Sequence, residues 1–370
     1  MAPETGDMSD PPSISPGSSD ASFGGQVETS DPTRLATAPL VSVLMITYNH
    51  AEYLAEAIQG IVDQQCDFPF ELVIGEDKSS DESLEVALGF QARYPHIVRV
   101  LHSPANVGMN ANSRRVRAAA RGKYVAWCEG DDYWCSTTKL ASQAALMEAD
   151  PGMGAVHSDW VRSTRQGGAW VVDWHRPVHS RVPDALLQGC LLPVFHYPKI
   201  LRTCTLMFRK CIADECDASE FGRKDYAFGD AVTSLFITSK WRVGYLPQVM
   251  AVYRESPRSV LRSGIGARIA FLKSSLQFDT DARRVFAGAE DYPDSYRLEV
   301  AVGLLLWSMK AGDRASFKFA LEDLRANFGL RSMLAAARRG LWMRRPLLRR
   351  RPRALAAVQP GGRVGGGEQP

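Results

Sequence analysis

From residue 40 onward the chain alternates between two kinds of block. LVSVLMI (40–46), FELVIG (70–75), IVRVL (97–101) and KYVAWC (123–128) are short, nearly unbroken apolar runs. Runs of that length predict strands buried on both faces. Between them, apolar residues recur at helical spacing: Leu54, Ile58, Ile61 and Val62 within 51–65, then Leu84, Leu88 and Phe90 within 81–93. A basic helix over 110–121 continues the series. The alternation predicts an α/β fold, a mostly parallel sheet flanked by helices. Further on, GAVHSDW (154–160), AWVVDW (169–174) and WRVGYL (241–246) predict strands and 228–239 a helix. A helical C-terminal region is predicted from about 264 to 340, divided at Pro293.

In parallel sheets, ligands bind beyond the carboxyl ends of the strands. Here the predicted strands end in polar clusters: Thr47-Tyr48-Asn49-His50, Glu76 through Asp81, and Glu129-Gly130-Asp131-Asp132. Three such clusters on one predicted edge carry more weight than any one of them.

The third cluster puts three carboxylates within four residues. Acids so close resist joint ionisation unless a cation compensates them. A hard divalent ion does so, and Mg²⁺ binds substrate phosphates as well. Gly-Asp-Asp is also good turn chemistry, so the motif alone leaves a solvated turn open. Asp77 lies one step beyond an apolar strand, placed to accept a hydrogen bond from a base or ribose, whereas Asp81 reads as a helix cap. The arginines at 114, 115, 117 and 121 read as a solvated helix face, with a phosphate-facing role for one of them the alternative. His175 and His179 are four apart but lack HExxH context and flank Pro177, which argues against a metal pair.

Composition narrows the class. Hydrophobic residues at 45% and charged residues at 23% describe an ordinary globular protein, and a net charge of +3 names no nucleic-acid partner. The charge is unevenly placed: residues 1–39 hold six acids and one base, and 338–353 hold eight arginines and no acid. The first stretch, rich in Ser, Pro and Gly, is expected to be disordered and carries no secretory pattern. No run reaches the ~18 apolar residues of a membrane span. A cytoplasmic location follows; the basic C-terminal tail reads either as a peripheral contact with the inner face of the membrane or as a solvated tail. Seven cysteines without a CxxC pair predict reduced core thiols.

VSVLMITYNHAEYLAEAI, ELVIGEDKSSDES, NVG and GKYVAWCEGDDYWCSTTKL, in that order and spacing, resemble the nucleotide-sugar-binding half of family 2 glycosyltransferases, which have the GT-A fold. The resemblance is specific over about 41–160 and weaker through AFGDAVTSLFITSKWRVGYLPQVMAVYR (227–254). It implies inverting transfer of a sugar from a nucleoside diphosphate donor, most commonly a UDP-sugar, assisted by Mn²⁺ or Mg²⁺. By position, Thr47, Tyr48, Asn49 and Asp77 would hold the base and ribose. Asp131 would hold the metal, Glu129 and Asp132 would support it or the donor, and Asp230 would be the catalytic base, with Asp225 its rival and a helix cap the other reading of Asp230. The family's Asp-x-Asp motif opens here with Glu129, as in one bacterial EGDDYW branch. That branch often carries His shortly after Tyr-Arg, where this chain has Glu255-Ser256.

The expected organisation is a tail (1–39), a GT-A domain (40–262, with a donor half to 160 and an acceptor half from 161), a helical region (263–340) and a basic, then Gly-rich end (341–370). The implied partners are a nucleotide-sugar donor and a glycan or lipid-linked acceptor of surface polysaccharide or glycolipid synthesis. Two other readings compete. A sugar-nucleotide pyrophosphorylase would favour a Gly-rich phosphate loop where Thr47-Tyr48-Asn49-His50 stands. A catalytically inactive binding module would have no need of Asp77, Asp131 and Asp230 together.

Overall fold

The computed structural model describes residues 25–194, 200–255, 264–289 and 294–328. Among these residues one sheet carries ten strands: β1 (Val27–Thr29), β2 (Val41–Thr47), β3 (Phe70–Glu76), β4 (Val98–His102), β5 (Tyr124–Trp127), β6 (Tyr133–Trp134), β7 (Met153–Gln166), β8 (Ala169–Val172), β9 (Met207–Arg209) and β10 (Arg242–Arg254). The order is β1-β4-β3-β2-β5-β9-β7-β10-β6, with β8 paired to β7 off this path. Strands β4, β3, β2 and β5 run parallel. Strand β9 is antiparallel to both its neighbours, while β7 and β10 are parallel to each other. The chain moves from β2 out to β3 and β4, then returns to place β5 on the other side of β2. The order therefore reverses between β2 and β5, which is where such sheets open a crevice for ligands.

Side-chain alternation explains why both faces of the sheet are covered. Val43 and Met45 join a core with Leu54, Ile58 and Ile61 of α1 (Ala51–Val62), Phe90 of α2 (Ser83–Arg93), and Leu140 and Met147 of α4 (Lys139–Ala149). Leu44, between them, joins the opposite core with Val116 of α3 (Met109–Ala119), Ile212 of α5 (Lys210–Ala218), Phe221 of α6 (Glu220–Arg223), Leu235 of α7 (Asp230–Lys240) and Phe278 of α8 (Ile265–Val285). Val43, Leu44 and Met45 are all fully buried. Each such side chain contributes about 1.5–3 kcal/mol relative to exposure, so a one-residue slip that reversed the faces would be costly.

Several expectations change. Residues 1–39 were expected to be disordered, yet Val27–Thr29 adds a strand to the sheet edge by pairing with β4. Local composition hides it because the charge of Glu28 is taken up by a residue distant in sequence, Arg99 (2.8 Å). The arginines of α3 are not simply a solvated face. Arg115 is buried and donates to the Glu76 carbonyl (2.8 Å), and Arg117 grips Asp217. Arg121, just past the helix, pairs with Glu71 (2.7 Å). Cys128, Cys204 and Cys216 are buried as core thiols, but Cys135, Cys190 and Cys211 are exposed. No helix forms between His175 and His179: His175 is exposed, and His179 packs beside His157 and Tyr245.

The chain's contacts divide it into residues 1–297 and 298–370. In the second unit, α9 (Asp294–Ala311, which begins in the first) buries Ala301 and Leu304, and α10 (Arg314–Asn327) buries Ala320 and Leu324. Asp313 caps α10 by accepting the Ser316 N–H (2.9 Å). No helix among the described residues is long and apolar enough to cross a membrane. The basic segment Arg338–Arg353, the Gly-rich end and residues 1–24 lie outside the described residues.

Candidate functional site

Three loops leave the carboxyl ends of β2, β3 and β5 and are stitched together by hydrogen bonds. After β2, Thr47 is buried, and its Oγ1 has no hydrogen-bond partner among the described residues. Tyr48 is 48% exposed. Asn49 takes a left-handed φ of 58°. Its N–H donates to Ser79 Oγ (3.0 Å), and its Oδ1 accepts the Ser80 N–H (2.8 Å). The Asn49 side chain thus braces one loop against the next.

In the loop after β3, Glu76 accepts the N–H groups of Lys78 and Ser79, and Lys78 has a φ of 59°, a conformation rare outside Gly, Asn and Asp. Asp77 is nearly sealed off, at 3% exposure. Its Oδ1 accepts the Val107 N–H (2.8 Å) and its Oδ2 the Gly108 N–H (2.9 Å). A carboxylate has about four acceptor sites, so two remain for a ligand. Gly108, at φ 83°, forms the N-terminal cap position of α3, so Asp77 fixes where that helix starts. Asp81 accepts N–H groups from Ala51 and Ser83 (3.1 Å each) and joins the starts of α1 and α2. Burial pushes its carboxyl up, but bonds from Ser83 and Ala51 outweigh this and hold it below its ordinary value.

The loop after β5 carries the acids. Gly130 donates its N–H to the Ile46 carbonyl (3.1 Å), drawing the loop onto the end of β2. A Cβ at this position would come within 2.8 Å of His50 Nδ1 and 2.9 Å of Thr47 Oγ1, too close for any side chain. The glycine of Glu129-Gly130-Asp131 is therefore a condition for bringing the acids against Thr47. Asp132, 1% exposed, accepts the Arg254 N–H (2.9 Å) at the end of β10. Arg254 also donates to the Asp131 carbonyl (3.2 Å), pairs with Glu56 and lies over the Tyr133 ring at 4.5 Å.

The carboxylates of Glu129 and Asp131 accept no hydrogen bond among the described residues. Burial first, then the charges of Asp132, Asp131 and Asp230, push the Glu129 carboxyl well above its usual range, and Arg202 opposes only in part. Burial and the charge of Asp131 push Asp132 up to about 8, against the Arg254 hydrogen bond. Mutual repulsion of this kind is what a divalent cation relieves. No three His, Cys, Asp or Glu side chains among the described residues converge to hold an ion by themselves. The donor set suits an ion that takes one or two carboxylates and fills its remaining positions with substrate phosphates and water. Asp131, half-buried and unengaged, fits that role; Asp132, occupied by Arg254, stands behind it.

Asp230 is exposed at the first turn of α7, where Gly229 is the cap residue. Its Oδ1 accepts the Ala231 N–H (2.8 Å), and no described group donates to its Oδ2. Its charge bears on Glu129, so both belong to one electrostatic site. The approach to Asp230 is pinned from two sides. Tyr226 donates its O–H to Asp281 of α8 (2.8 Å), Lys224 pairs with Asp281 (2.9 Å), and the Ala227 N–H donates to Ser274 (2.8 Å). From α3, Asn110 donates to the Tyr226 carbonyl (2.9 Å) and to Asp225 (2.6 Å). Asp225, the other acid of this segment, is thereby committed to structure.

Residues 42–202 match the family Glycosyl transferase family 2. Over this stretch the chain is similar to family 2 glycosyltransferases. A protein of Mycobacterium tuberculosis (strain H37Rv) is 40% identical to it over 111 residues, 30% of this chain and 32% of its own. The uncharacterized glycosyltransferase YibD of Escherichia coli K12 is 31% identical over 120 residues, 32% of this chain and 34% of its own. The chain thus spans about a third of the length of the curated relatives it matches. The solved mannosyltransferase PcManGT of Pyrobaculum calidifontis, in complex with GDP-Man and Mn²⁺, is 19% identical, with a TM-score of 0.49 over 85% of this chain and 89% of that one. Within the matched residues and beyond them, sequence reasoning missed Arg254 as the support of Asp132, Arg202 beside the acids, and α8 as the buttress of Asp230. For Arg254 a signal was present, a charged residue closing an apolar run at Tyr253-Arg254. The other two arise only from tertiary contacts.

Proposed function

We propose that the chain transfers a sugar from a nucleoside diphosphate donor to an acceptor hydroxyl in a single inverting displacement. The observation that carries this reading is the pair of unengaged carboxylates, Glu129 and Asp131, where the strand order reverses, with the charge of Asp230 bearing on Glu129. The family 2 match, and relatives named glycosyltransferases, support the class of reaction.

The roles divide as follows. Thr47, Tyr48 and Asp77 receive the base and ribose, with Asn49 bracing their loops. Asp131 holds Mn²⁺ or Mg²⁺, which when bound supplies positive charge for the departing diphosphate. Asp132, gripped by Arg254, and Glu129 keep Asp131 and the donor in register. Asp230 takes the proton of the attacking hydroxyl on its Oδ2. One base is enough, because the acceptor oxygen itself attacks the anomeric carbon from the side opposite the leaving group. The acceptor is a glycan or lipid-linked hydroxyl, and the basic segment Arg338–Arg353 suits an anionic membrane surface.

A panel of nucleotide sugars, incubated with the protein, Mn²⁺ and glycan acceptors, tests the reading through release of nucleoside diphosphate. Release with one donor, lost on chelation, is expected. Absence of both release and thermal stabilisation across UDP-, GDP- and dTDP-sugars refutes it.

A further inference from the structure

Arg202 lies outside every motif singled out in the sequence. Its guanidinium carbon sits 4.2 Å from the Tyr253 ring centre and 4.9 Å from that of Trp160. Those two rings are themselves edge to face, 5.6 Å apart at 78°. The cation is thus seated in an aromatic corner, which limits its rotation. Its charge acts on Glu129 and Asp132. Yet it makes no hydrogen bond or ion pair to either acid, and its Nε is buried without a partner. Arg99, Arg117, Arg121 and Arg254 each pair with a protein carboxylate, and among the described residues Arg202 does not. A buried N–H left without a partner is costly unless another group uses it.

We propose that Arg202 binds the diphosphate of the nucleotide donor and holds it as the leaving group. A guanidinium offers N–H groups in a fixed fork that matches phosphate oxygens two at a time. The Tyr253 ring under it precedes Arg254, whose N–H donates to Asp132, so the guanidinium is seated beside the acidic loop. In the displacement, the bond between the anomeric carbon and the phosphate oxygen breaks and its electron pair stays on that oxygen. The acceptor oxygen forms the new bond, and its proton goes to Asp230. Arg202 then faces the charge that grows on the diphosphate. This inference rests on the transferase reading and adds to it a cation supplied by the acceptor half of the chain.

The test compares binding of UDP with UMP, and GDP with GDP's monophosphate, by calorimetry with Mn²⁺ present. Wild type, Arg202→Gln and Arg202→Lys are measured, with circular dichroism checking that each is folded. Arg202→Gln is expected to lower the preference for diphosphate over monophosphate about ten- to hundred-fold, the range for losing a charged hydrogen-bonding partner. Arg202→Lys should restore part of that preference, since it keeps the charge but not the fork. Equal weakening of both nucleotides marks a structural role and overturns the inference. So does a variant that binds free diphosphate normally but loses affinity for nucleotide sugar alone, since Arg202 then contacts the sugar. If Arg202→Gln does not fold, Arg202→Lys decides alone: an undiminished diphosphate preference in that folded variant overturns the inference. Failure of the wild type to bind any nucleoside diphosphate sinks the transferase reading itself, an outcome separate from an unchanged ratio in a protein that binds well.

Discussion

The two ends of the parallel strands treat buried carboxylates in opposite ways. At the amino ends, Glu71 is 1% exposed and held by Arg99 (2.9 Å), Arg121 (2.7 Å) and the Ser42 hydroxyl (2.6 Å). Burial raises its pKa, but Arg99, Ser42 and Arg121 outweigh burial and leave it below the ordinary 4.5. At the carboxyl ends, burial and then the neighbouring acids drive Glu129 and Asp132 upward, and Arg202 opposes only in part. The first arrangement is complete in itself: it ties β2, β3, β4 and the entry to β5 together, and through Glu28 it holds β1 as well. The second leaves its acids repelling one another. A perturbed carboxylate that still lacks its counter-charge marks a functional site better than burial or acidity alone.

The largest effect that sharpens this contrast is expected at Asp230. Asp230→Asn should cut turnover by about 10²–10⁴-fold, the range for a general base. Nucleotide binding should stay nearly unchanged, as read from steady-state kinetics beside calorimetry. Next comes the amino end. Glu71→Gln leaves Arg99 and Arg121 without their buried counter-charge. Breaking such a pair costs 3–5 kcal/mol; about 3 is expected here, since Arg99 keeps Glu28 and Arg121 is a third exposed. Urea unfolding should show that loss while nucleotide affinity holds. The same variant tests the pH dependence. The folded pKa of Glu71 lies below its unfolded value, so its stabilisation is complete above about pH 4.5 and is lost as pH falls through the folded value. Wild type should therefore lose stability more steeply than Glu71→Gln in that acid range. The smallest effect is expected at Asp225, which is tied to Asn110. Asp225→Asn should leave turnover within about threefold of wild type, because Asn still accepts that hydrogen bond; a loss matching that of Asp230→Asn would reassign the base.

The half of the sheet from β2 to β5 was legible because each strand is a nearly unbroken apolar run separated by helical spacing, and because Thr47, Asp77 and Asp131 stand within a few residues of the ends of such runs. The other half was less so. Strand β9 has three residues and β6 two, too short for any period to register. Strand β1 sits in a stretch whose composition reads as disordered. The support of Asp230 depends on Tyr226, Lys224 and Ala227 meeting α8 some 50 residues later, which no local pattern encodes. Arg202 gave no signal for the same reason: a lone arginine acquires meaning only from the rings and acids that fold around it.

The central claim is that the acids at the carboxyl ends need a cation and a diphosphate together. Titration of a nucleoside diphosphate into wild type and Asp131→Asn, with Mn²⁺ and then with excess chelator, tests it most directly. The account predicts tight binding only by wild type with the metal, and weak, metal-independent binding by Asp131→Asn. Equal affinity in both proteins, undisturbed by chelation, would contradict it.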